Sequence, residues 1–175
     1  MRKYLIVVDM QRDFIDGALG TREAMAVVPA VVERIRAALE QGRLLLFTQD
    51  THQPDYMDTS EGRHLPVPHC VEGTEGWLLH EAVAPYAAAT LKKPSFGSPA
   101  LAELLRREAV NGGENLDIEL CGVCTDICVV SNALLLRAHL PEATLSVHRE
   151  ACAGVTPARH EAALEVMAAC QIEVV

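Results

Sequence analysis

A continuous apolar run near the N-terminus constrains the fold of this chain more than any other feature. Residues 4–8, Tyr-Leu-Ile-Val-Val, are followed at once by Asp9. A strand with this pattern is buried on both faces, which is typical of a parallel sheet covered by helices on each side. Ligands of such sheets bind outside the carboxyl ends of the strands. Asp9 is therefore a candidate site residue.

The rest of the chain alternates between strand and helix patterns, which predicts an α/β fold with a mostly parallel sheet. Further strands are predicted at residues 43–48, 87–91, 116–120, 144–147 and 172–175. Helices are predicted at 26–40, 99–110 and 126–138, with a last helix starting at Thr156-Pro157 and a short helix or turn at 78–86. No internal repeat or linker interrupts the pattern, so residues 1–175 are predicted to form one domain.

Charge and cysteine content exclude several classes of function. The net charge of -9 argues against a nucleic acid or an anionic membrane as partner. No apolar run is long enough to span a bilayer, and the N-terminus lacks a signal-peptide cleavage site, so a cytoplasmic protein is expected. The six cysteines are scattered through a chain that can build its own core, which favours reduced thiols over a disulfide framework. A homo-oligomer is also expected, although no stretch identifies its interface.

Residues 51–77 are predicted to form a long irregular loop with metal-binding side chains. Asp50-x-His52 puts a carboxylate and an imidazole on one side of an extended segment. Together these residue types suit Zn²⁺, Fe²⁺ or Mn²⁺. The candidate ligands are Asp50, His52, Glu61, His64, His69 and Cys70.

The segment 119–130 contains the candidate nucleophile. A buried strand is followed by a tight turn at Gly122, and Cys128 is predicted in the first turn of the next helix, capped by Thr125 or Asp126. The positive end of the helix dipole would lower the pKa of this thiol and favour the nucleophilic thiolate. The alternative is that Cys128 is an inert core residue.

Three groups from separate strand ends are predicted to converge: Asp9, Lys93 and Cys128. A nucleophilic thiol needs a base to take its proton, and a carboxylate steadied by an ammonium can do this. Backbone N–H groups of Cys124 and Cys128 are candidates for stabilising a developing oxyanion.

Four ordered motifs, spread over nearly the whole chain, resemble those of the isochorismatase-like cysteine hydrolases. They are Val-Val-Asp9-Met-Gln-x-Asp-Phe14, Thr-Gln-Asp50-x-His52, Lys93-x-x-Phe96 and Gly122-Val-Cys-Thr-Asp-Ile-Cys128-Val. Within this group, the Asp-x-His pair together with Pro68-His69-Cys70-Val71 is similar to nicotinamidases (pyrazinamidases). The resemblance implies a three-layer Rossmann-like fold with helices on both faces of the sheet.

The resemblance also implies a role for each residue. Cys128 would be the nucleophile, Asp9 the base and acid, and Lys93 their charge partner. A cis Val123–Cys124 peptide would turn the Cys124 N–H toward the oxyanion, beside that of Cys128. Attack on the amide would give a thioester and ammonia, and water would then release the acid.

A divalent metal, with zinc favoured over iron or manganese, would orient nicotinamide in an enzyme of NAD salvage. The implied metal ligands are Asp50, His52 and His69, with Glu61 as an additional ligand and His64 as a competitor. The implied substrate pocket consists of Phe14, Trp77 and Val123.

Three other functions remain open at this point. The first is hydrolysis of another small amide, a ureido compound or a carbamoyl compound by the same residues. The second is thiol redox chemistry by Cys121 and Cys124, which form a Cys-x-x-Cys between a strand and a helix. The third is a metal- or partner-binding module without catalysis.

Overall fold

The protein is seen here as a computed structural model that describes residues 1–113 and 115–175, and within them six strands form one parallel sheet. The strands are β1 (Arg2–Val8), β2 (Leu44–Asp50), β3 (Thr90–Lys93), β4 (Leu116–Val123), β5 (Thr144–Ala153) and β6 (Glu173–Val174). The α-helices are α1 (Arg12–Ile15), α2 (Arg22–Glu40), α3 (Ser60–His64), α4 (Pro99–Gly112), α5 (Val130–His139) and α6 (Pro157–Ala169). The predicted α/β fold is confirmed.

In the strand order β3-β2-β1-β4-β5-β6, successive strands are added to one side of β1 and then to the other, so the order of strands reverses between β1 and β4. In doubly wound sheets of this order, ligands bind at that reversal, beyond the carboxyl ends of the strands. Val8 pairs in register with Gly122, so Asp9 emerges beside the end of β4. Asp50 is the register partner of Lys93, so the last residues of β2 and β3 are neighbours.

The core lies on both faces of the sheet, and β1 is buried from Tyr4 to its end. Because parallel crossovers are right-handed, α2 covers one face, while α4, α5 and α6 pack side by side on the other. Side-chain caps begin the three helices that follow Thr21, Ser98 and Thr156. None of the helices in the described residues has the length and apolar character needed to cross a bilayer.

Several predicted boundaries differ from the structure. The third strand is Thr90–Lys93 rather than 87–91, which makes Lys93 part of the sheet. The helix predicted from residue 126 begins as an α-helix only at Val130. The first long helix begins at Arg22 rather than residue 26. The prediction missed its first turn because Arg22 and Glu23 are polar and no apolar periodicity marks this turn. The fifth strand continues to Ala153.

Candidate active site

A buried ion pair and a thiol meet where three strands end. Lys93 Nζ lies 2.7 Å from Asp9 Oδ2 and 3.5 Å from Cys128 Sγ. Asp9 directly follows β1, Lys93 is the last residue of β3, and Cys128 lies just beyond β4. All three side chains are buried. The structure thus brings together the three residues of the predicted constellation, here called the thiol group.

The Asp9 carboxylate is fixed by its neighbour on β2 as well as by Lys93. Thr48 Oγ1 donates to Asp9 Oδ1 at 2.7 Å, and the Asp9 N–H donates to Thr48 Oγ1 at 3.2 Å. The backbone of Asp9 has φ 47, in the left-handed region that aspartate adopts more readily than most residues. Thr48 was not predicted as a site residue, although a threonine at the end of an apolar strand was a usable signal.

Burial and mutual charge set the protonation of the thiol group. Burial raises the pKa of Cys128 well above its ordinary value, and the Asp9 charge adds to this while Lys93 opposes it. Burial also raises the pKa of Asp9, against the effect of Lys93. At Lys93, burial favours the neutral amine, but the charges of Asp9, Cys128 and Asp50 outweigh it and raise the pKa.

The prediction that Cys128 has a lowered pKa is therefore wrong. Its sulfur lies near a helix start, but it is also buried beside the Asp9 carboxylate. Burial and the negative charge of Asp9 both favour the neutral thiol. Asp9 is the carboxylate next to the sulfur, and the Lys93 ammonium is the cation beside both.

The turn that carries Cys128 is a π-helical turn, Thr125–Val129, which is an uncommon local structure that often occurs at functional sites. The predicted cap by Thr125 or Asp126 is absent from this turn. Thr125 Oγ1 instead lies 2.8 Å from His160 Nδ1, and Asp126 Oδ1 accepts from the Val155 N–H at 2.9 Å. The turn is thus fixed by contacts with the start of α6.

The path of the chain from β4 into this turn requires a glycine at position 122. A Cβ atom at this position would lie 2.2 Å from the Val8 carbonyl oxygen, so a larger residue would push β4 away from β1. Its φ of 114 is also a conformation that glycine adopts without strain. The Val123–Cys124 peptide that follows is cis, as the resemblance implied.

Asn132 links the turn to the chain beyond Lys93. Its Nδ2 donates to the Cys128 carbonyl at 2.8 Å and to the Phe96 carbonyl at 3.1 Å. Its Oδ1 accepts from the Ser98 N–H at 2.9 Å. This buried residue was not predicted from the sequence, where a lone asparagine within an apolar helix pattern was the available signal.

Beside the thiol group, four residues offer ligand atoms to a metal ion, and these atoms all lie within 4.8 Å of one another. This metal group consists of Asp50, His52, Glu61 and His69. Asp50 also contacts the thiol group, since its Oδ1 lies 3.0 Å from Lys93 Nζ while its Oδ2 lies 3.0 Å from His52 Nε2. One carboxylate of the metal group therefore connects the two groups.

The orientation of the two imidazoles fits a metal. His69 Nδ1 donates to the Val67 carbonyl at 2.9 Å, which leaves Nε2 free to act as a ligand. His52 Nε2 is buried and has no hydrogen-bond partner among the described residues, although it faces Asp50. A buried polar atom without a partner is costly, and a cation between these carboxylates and imidazoles would satisfy it.

The two remaining predicted ligands lie outside the metal group. His64 is exposed, and its Nδ1 donates to the Ser60 carbonyl at 2.7 Å. Cys70 is buried, and burial raises the pKa of its thiol far above the ordinary value, which disfavours the thiolate that a metal requires. Of the competing candidates in the loop, the structure places Glu61 with the metal group.

Two residues of the first motif support the metal group through the backbone. Gln11 donates from Nε2 to the Asp50 carbonyl at 2.9 Å and accepts at Oε1 from the Asp50 N–H at 2.7 Å. Asp13 Oδ2 accepts from the Cys70 N–H at 2.7 Å, next to His69. Neither role was predicted from the sequence, because these bonds join residues far apart in the chain.

A cavity of about 410 Å³ opens onto both groups. Cys128 and three members of the metal group, Asp50, Glu61 and His69, line it. Its apolar walls include Phe14, Leu19, Leu65, Phe96 and Ile127. This volume and this mixture of apolar walls and few polar groups are typical of small-molecule sites.

Only Phe14 of the predicted pocket residues lines this cavity. Trp77 does not, because its indole N–H donates to Thr51 Oγ1 at 2.9 Å and Lys92 Nζ lies 5.1 Å from its ring centroid. Val123 is fully buried in β4 and does not reach the cavity either. The cavity walls formed by Leu65, Phe96 and Ile127 were not predicted from the sequence.

The proposed redox pair is not supported. Cys121 is fully buried in β4, and burial raises the pKa of its thiol well above the ordinary value. Burial also raises the pKa of Cys124 to about 12. Thiol–disulfide exchange requires an accessible thiolate, which neither residue offers.

With this geometry established, comparison with known proteins identifies the family. The family model described as Isochorismatase domain matches residues 3–175. The chain belongs to the isochorismatase family. Isochorismatase family protein PncA of Bacillus subtilis (strain 168) is 30% identical over 178 residues, which cover 94% of this chain and 93% of that protein.

Solved structures of this family superimpose over the whole chain. The pyrazinamidase of Pyrococcus horikoshii in complex with zinc has a TM-score of 0.80 at 34% identity and covers 100% of this chain and 99% of its own. The nicotinamidase/pyrazinamidase PncA of Bacillus subtilis has a TM-score of 0.85 at 28% identity, with 100% of both chains covered. The protein is thus an isochorismatase-family hydrolase, and the predicted family is confirmed.

Proposed function

We propose that this protein is a metal-dependent cysteine amidohydrolase that converts nicotinamide and water to nicotinic acid and ammonia. One observation carries the proposal: a single cavity is lined by the buried thiol of Cys128 and by three members of the metal group. A small heteroaromatic amide can then meet a nucleophile and a cation at once. The zinc complex of the Pyrococcus horikoshii pyrazinamidase supports zinc as the metal.

In the first half of the reaction, Asp9 accepts the proton of the Cys128 thiol and Sγ attacks the carboxamide carbon. The Lys93 ammonium stabilises the thiolate from 3.5 Å. The backbone N–H groups of Cys124 and Cys128 donate to the oxygen that becomes negative. Asp9 then returns its proton to the leaving nitrogen, so that the C–N bond breaks, ammonia departs and a thioester remains.

In the second half, Asp9 takes a proton from a water molecule, which attacks the thioester carbon. The C–S bond breaks, the proton returns to Cys128, and the carboxylic acid is released. Burial raises the pKa of Asp9, and this suits the alternation, since a carboxyl group with a raised pKa both accepts and gives back a proton more readily than an exposed one. Thr48 keeps the carboxylate in place during both steps.

The metal has a positioning role in this proposal. Asp50, His52 and His69, with Glu61, would hold a divalent cation that supplies a Lewis-acidic partner for the ring nitrogen of nicotinamide. Phe14 and Phe96 form apolar walls for the ring. Gln11 bonds to both the N–H and the carbonyl of Asp50 and so fixes the ligand that connects the two groups.

A second candidate keeps the same residues and changes the substrate. Streptothricin hydrolase of Streptomyces noursei is 28% identical over 133 residues, which cover 74% of this chain and 42% of that protein. This similarity favours a substrate other than nicotinamide, and another small amide, a ureido compound or a carbamoyl compound is the alternative to test. The thiol group would act in the same way on each of these.

The test is an ammonia-release assay with zinc-loaded protein on nicotinamide, alongside a panel of small amides, ureido and carbamoyl compounds. We expect nicotinamide to have the highest kcat/KM of the panel. Cys128→Ala should remove turnover, and mass spectrometry of quenched wild-type protein should show an acyl group on Cys128. Cys170→Ala is the matched control, because Cys170 is an exposed free cysteine at the end of α6.

The two levels of the proposal fail separately. If another amide is hydrolysed and nicotinamide is not, the substrate assignment is wrong and the thiol mechanism stands. If Cys128→Ala keeps its turnover while circular dichroism shows a normal fold, the nucleophile assignment is wrong for every substrate.

A further inference from the structure

The cavity has a buried end and an exposed end with different chemistry. Cys128, Asp50 and His69 are buried and form its floor. Ser60, His64 and Phe96 also line it but are exposed, so they form its mouth. A substrate whose amide reaches Cys128 must place its opposite side toward the mouth.

Outside the thiol group and the metal group, three of the described residues line the cavity with a hydroxyl or an imidazole: Ser60, His64 and Ser95. Ser95 Oγ already donates to the Gly97 carbonyl at 2.9 Å. Ser60 and His64 lie one helical turn apart on α3, on either side of Glu61 and its metal-facing carboxylate. Helix α3 therefore offers polar groups to a substrate in a part of the cavity where the other walls are apolar.

The His64 ring has a defined hydrogen-bonding pattern. Its Nδ1 lies 2.7 Å from the Ser60 carbonyl oxygen, which can only accept, so Nδ1 carries the hydrogen. In the neutral imidazole, Nε2 then has a lone pair and acts as an acceptor. His64 thus offers an acceptor, and the complementary group on a ligand is an N–H or O–H donor.

The helix that presents His64 is held firmly. Thr59 Oγ1 accepts from the Gly62 N–H at 3.0 Å, and Tyr56 Oη donates to the Leu65 carbonyl at 2.8 Å. A Cβ atom on Gly62 would lie 2.1 Å from the Tyr56 carbonyl oxygen, so the helix packs directly on this backbone. The Tyr56 ring also contacts His69, with centroids 5.1 Å apart. The position of His64 is thereby tied to the metal group.

We propose that His64 is a specificity-determining residue that accepts a hydrogen bond from a donor group on the substrate, on the side remote from the amide that is cleaved. The preferred substrates are then aromatic amides with an amino or hydroxyl substituent rather than an apolar one of equal size. This inference rests on the proposed function, because it assumes that the amide is bound over Cys128.

The experiment compares pairs of nicotinamides that carry either an amino or a methyl group at the same ring carbon, taken at each free ring carbon in turn. For wild-type protein loaded with zinc, we expect kcat/KM to favour the amino compound at one or more ring carbons, by roughly tenfold, as a hydrogen bond at an exposed rim provides. In His64→Phe, which keeps a ring but removes the acceptor, the ratio at that carbon should fall to about one. Because each ratio compares two substrates of the same variant, a general change in activity affects both and does not change the ratio.

His139→Phe is the matched control. His139 is also exposed, with Nδ1 bonded to the carbonyl four residues earlier, Leu135, at 3.0 Å, but it does not line this cavity. Its ratio should equal that of the wild type. Ratios near one at every carbon for the wild type, or an equal preference in His64→Phe, would overturn the inference. Failure of the wild type to cleave nicotinamide itself would instead count against the proposed function.

Discussion

The thiol group and the metal group face the same cavity but are built in opposite ways. Asp9 follows β1 and Lys93 ends β3, the two strands that flank β2. The register of the sheet sets their positions. His52, Glu61 and His69 come from the long segment 51–77, where the structure has only short helical turns and the isolated bridge between His52 and Val71. One half of the site is fixed by the sheet, and the other is fixed by individual hydrogen bonds.

This difference teaches which parts of the site depend on the folding of the whole domain. Disturbing the thiol group disturbs buried charges within the sheet, so stability and activity should fall together. Disturbing the metal group should change ligand binding and local order, with less effect on the core. Asp50 is the exception, because its two carboxylate oxygens face Lys93 and His52 separately.

The largest expected effect is that of Lys93→Met. The change leaves the carboxylates of Asp9 and Asp50 buried without their cation, and removing one partner of a buried ion pair costs roughly 3–5 kcal/mol. We expect urea denaturation to show a loss of this order. Amide hydrolysis should fall below detection, since the thiolate also loses its stabilising charge.

Lys92→Met provides the control for this comparison. Lys92 is the preceding residue of β3, but its side chain is exposed and pairs with Glu72 at the surface. Exposed pairs contribute little, so its denaturation midpoint should stay close to that of the wild type. Equal midpoints for Lys92→Met and Lys93→Met would show that the sheet edge does not depend on the buried cation.

The next effect in size is that of Asn132→Ala. The truncation leaves the Ser98 N–H and the Cys128 carbonyl without their side-chain partner, at a cost of about 2–3 kcal/mol. Because the turn then loses its link to the chain beyond Lys93, we expect kcat to fall by roughly 10- to 100-fold with little change in KM. Steady-state kinetics and thermal denaturation measure the two effects.

Asn111→Ala separates this role from a general effect of losing an asparagine. Asn111 is exposed near the end of α4, and alanine is the better helix former there. Its kinetics should match the wild type. A larger rise in KM than fall in kcat for Asn132→Ala would contradict a role in positioning the nucleophile.

The same contrast explains how much could be predicted from the sequence. Apolar runs that end in Asp9 or lead to Lys93 reveal strand ends, and parallel topology brings strand ends together, so the thiol group was predictable. The metal group was predictable only as a set of candidates, because nothing in the order of Glu61 and His64 shows which one an irregular loop turns inward.

Contacts that form only through tertiary packing could not be predicted from the sequence patterns. Trp77 follows the polar loop and was expected at the substrate, but its indole bonds to Thr51 on the other side of the loop. The raised pKa of Cys128 also follows from tertiary burial, which local position on a helix does not reveal. Asn132 and Gln11 act through side-chain bonds to distant backbone groups, for which no spacing rule exists.

Metal removal is expected to disturb the core of the fold least, and it tests the contrast most directly. At zinc concentrations about 100 times the dissociation constant, binding stabilises the folded state by roughly 2.7 kcal/mol, or roughly 5–10 °C in Tm for a domain of this size. Chelation should reverse this shift. His52→Ala should abolish it, because His52 supplies the buried Nε2 that has no other partner among the described residues.

Variants of the thiol group should behave differently in the same measurement. Cys128→Ala should keep the full zinc-dependent shift, since Cys128 is not part of the metal group. Without zinc, amides within residues 51–77 should exchange faster than those of β1 and β4, because the loop can open locally while the strands require global opening. Zinc should slow exchange in the loop, and the protection of β1 and β4 should rise by no more than the roughly 2.7 kcal/mol that the whole fold gains. If the loop and the two strands exchange at the same rate without zinc, the two halves of the site form one cooperative unit.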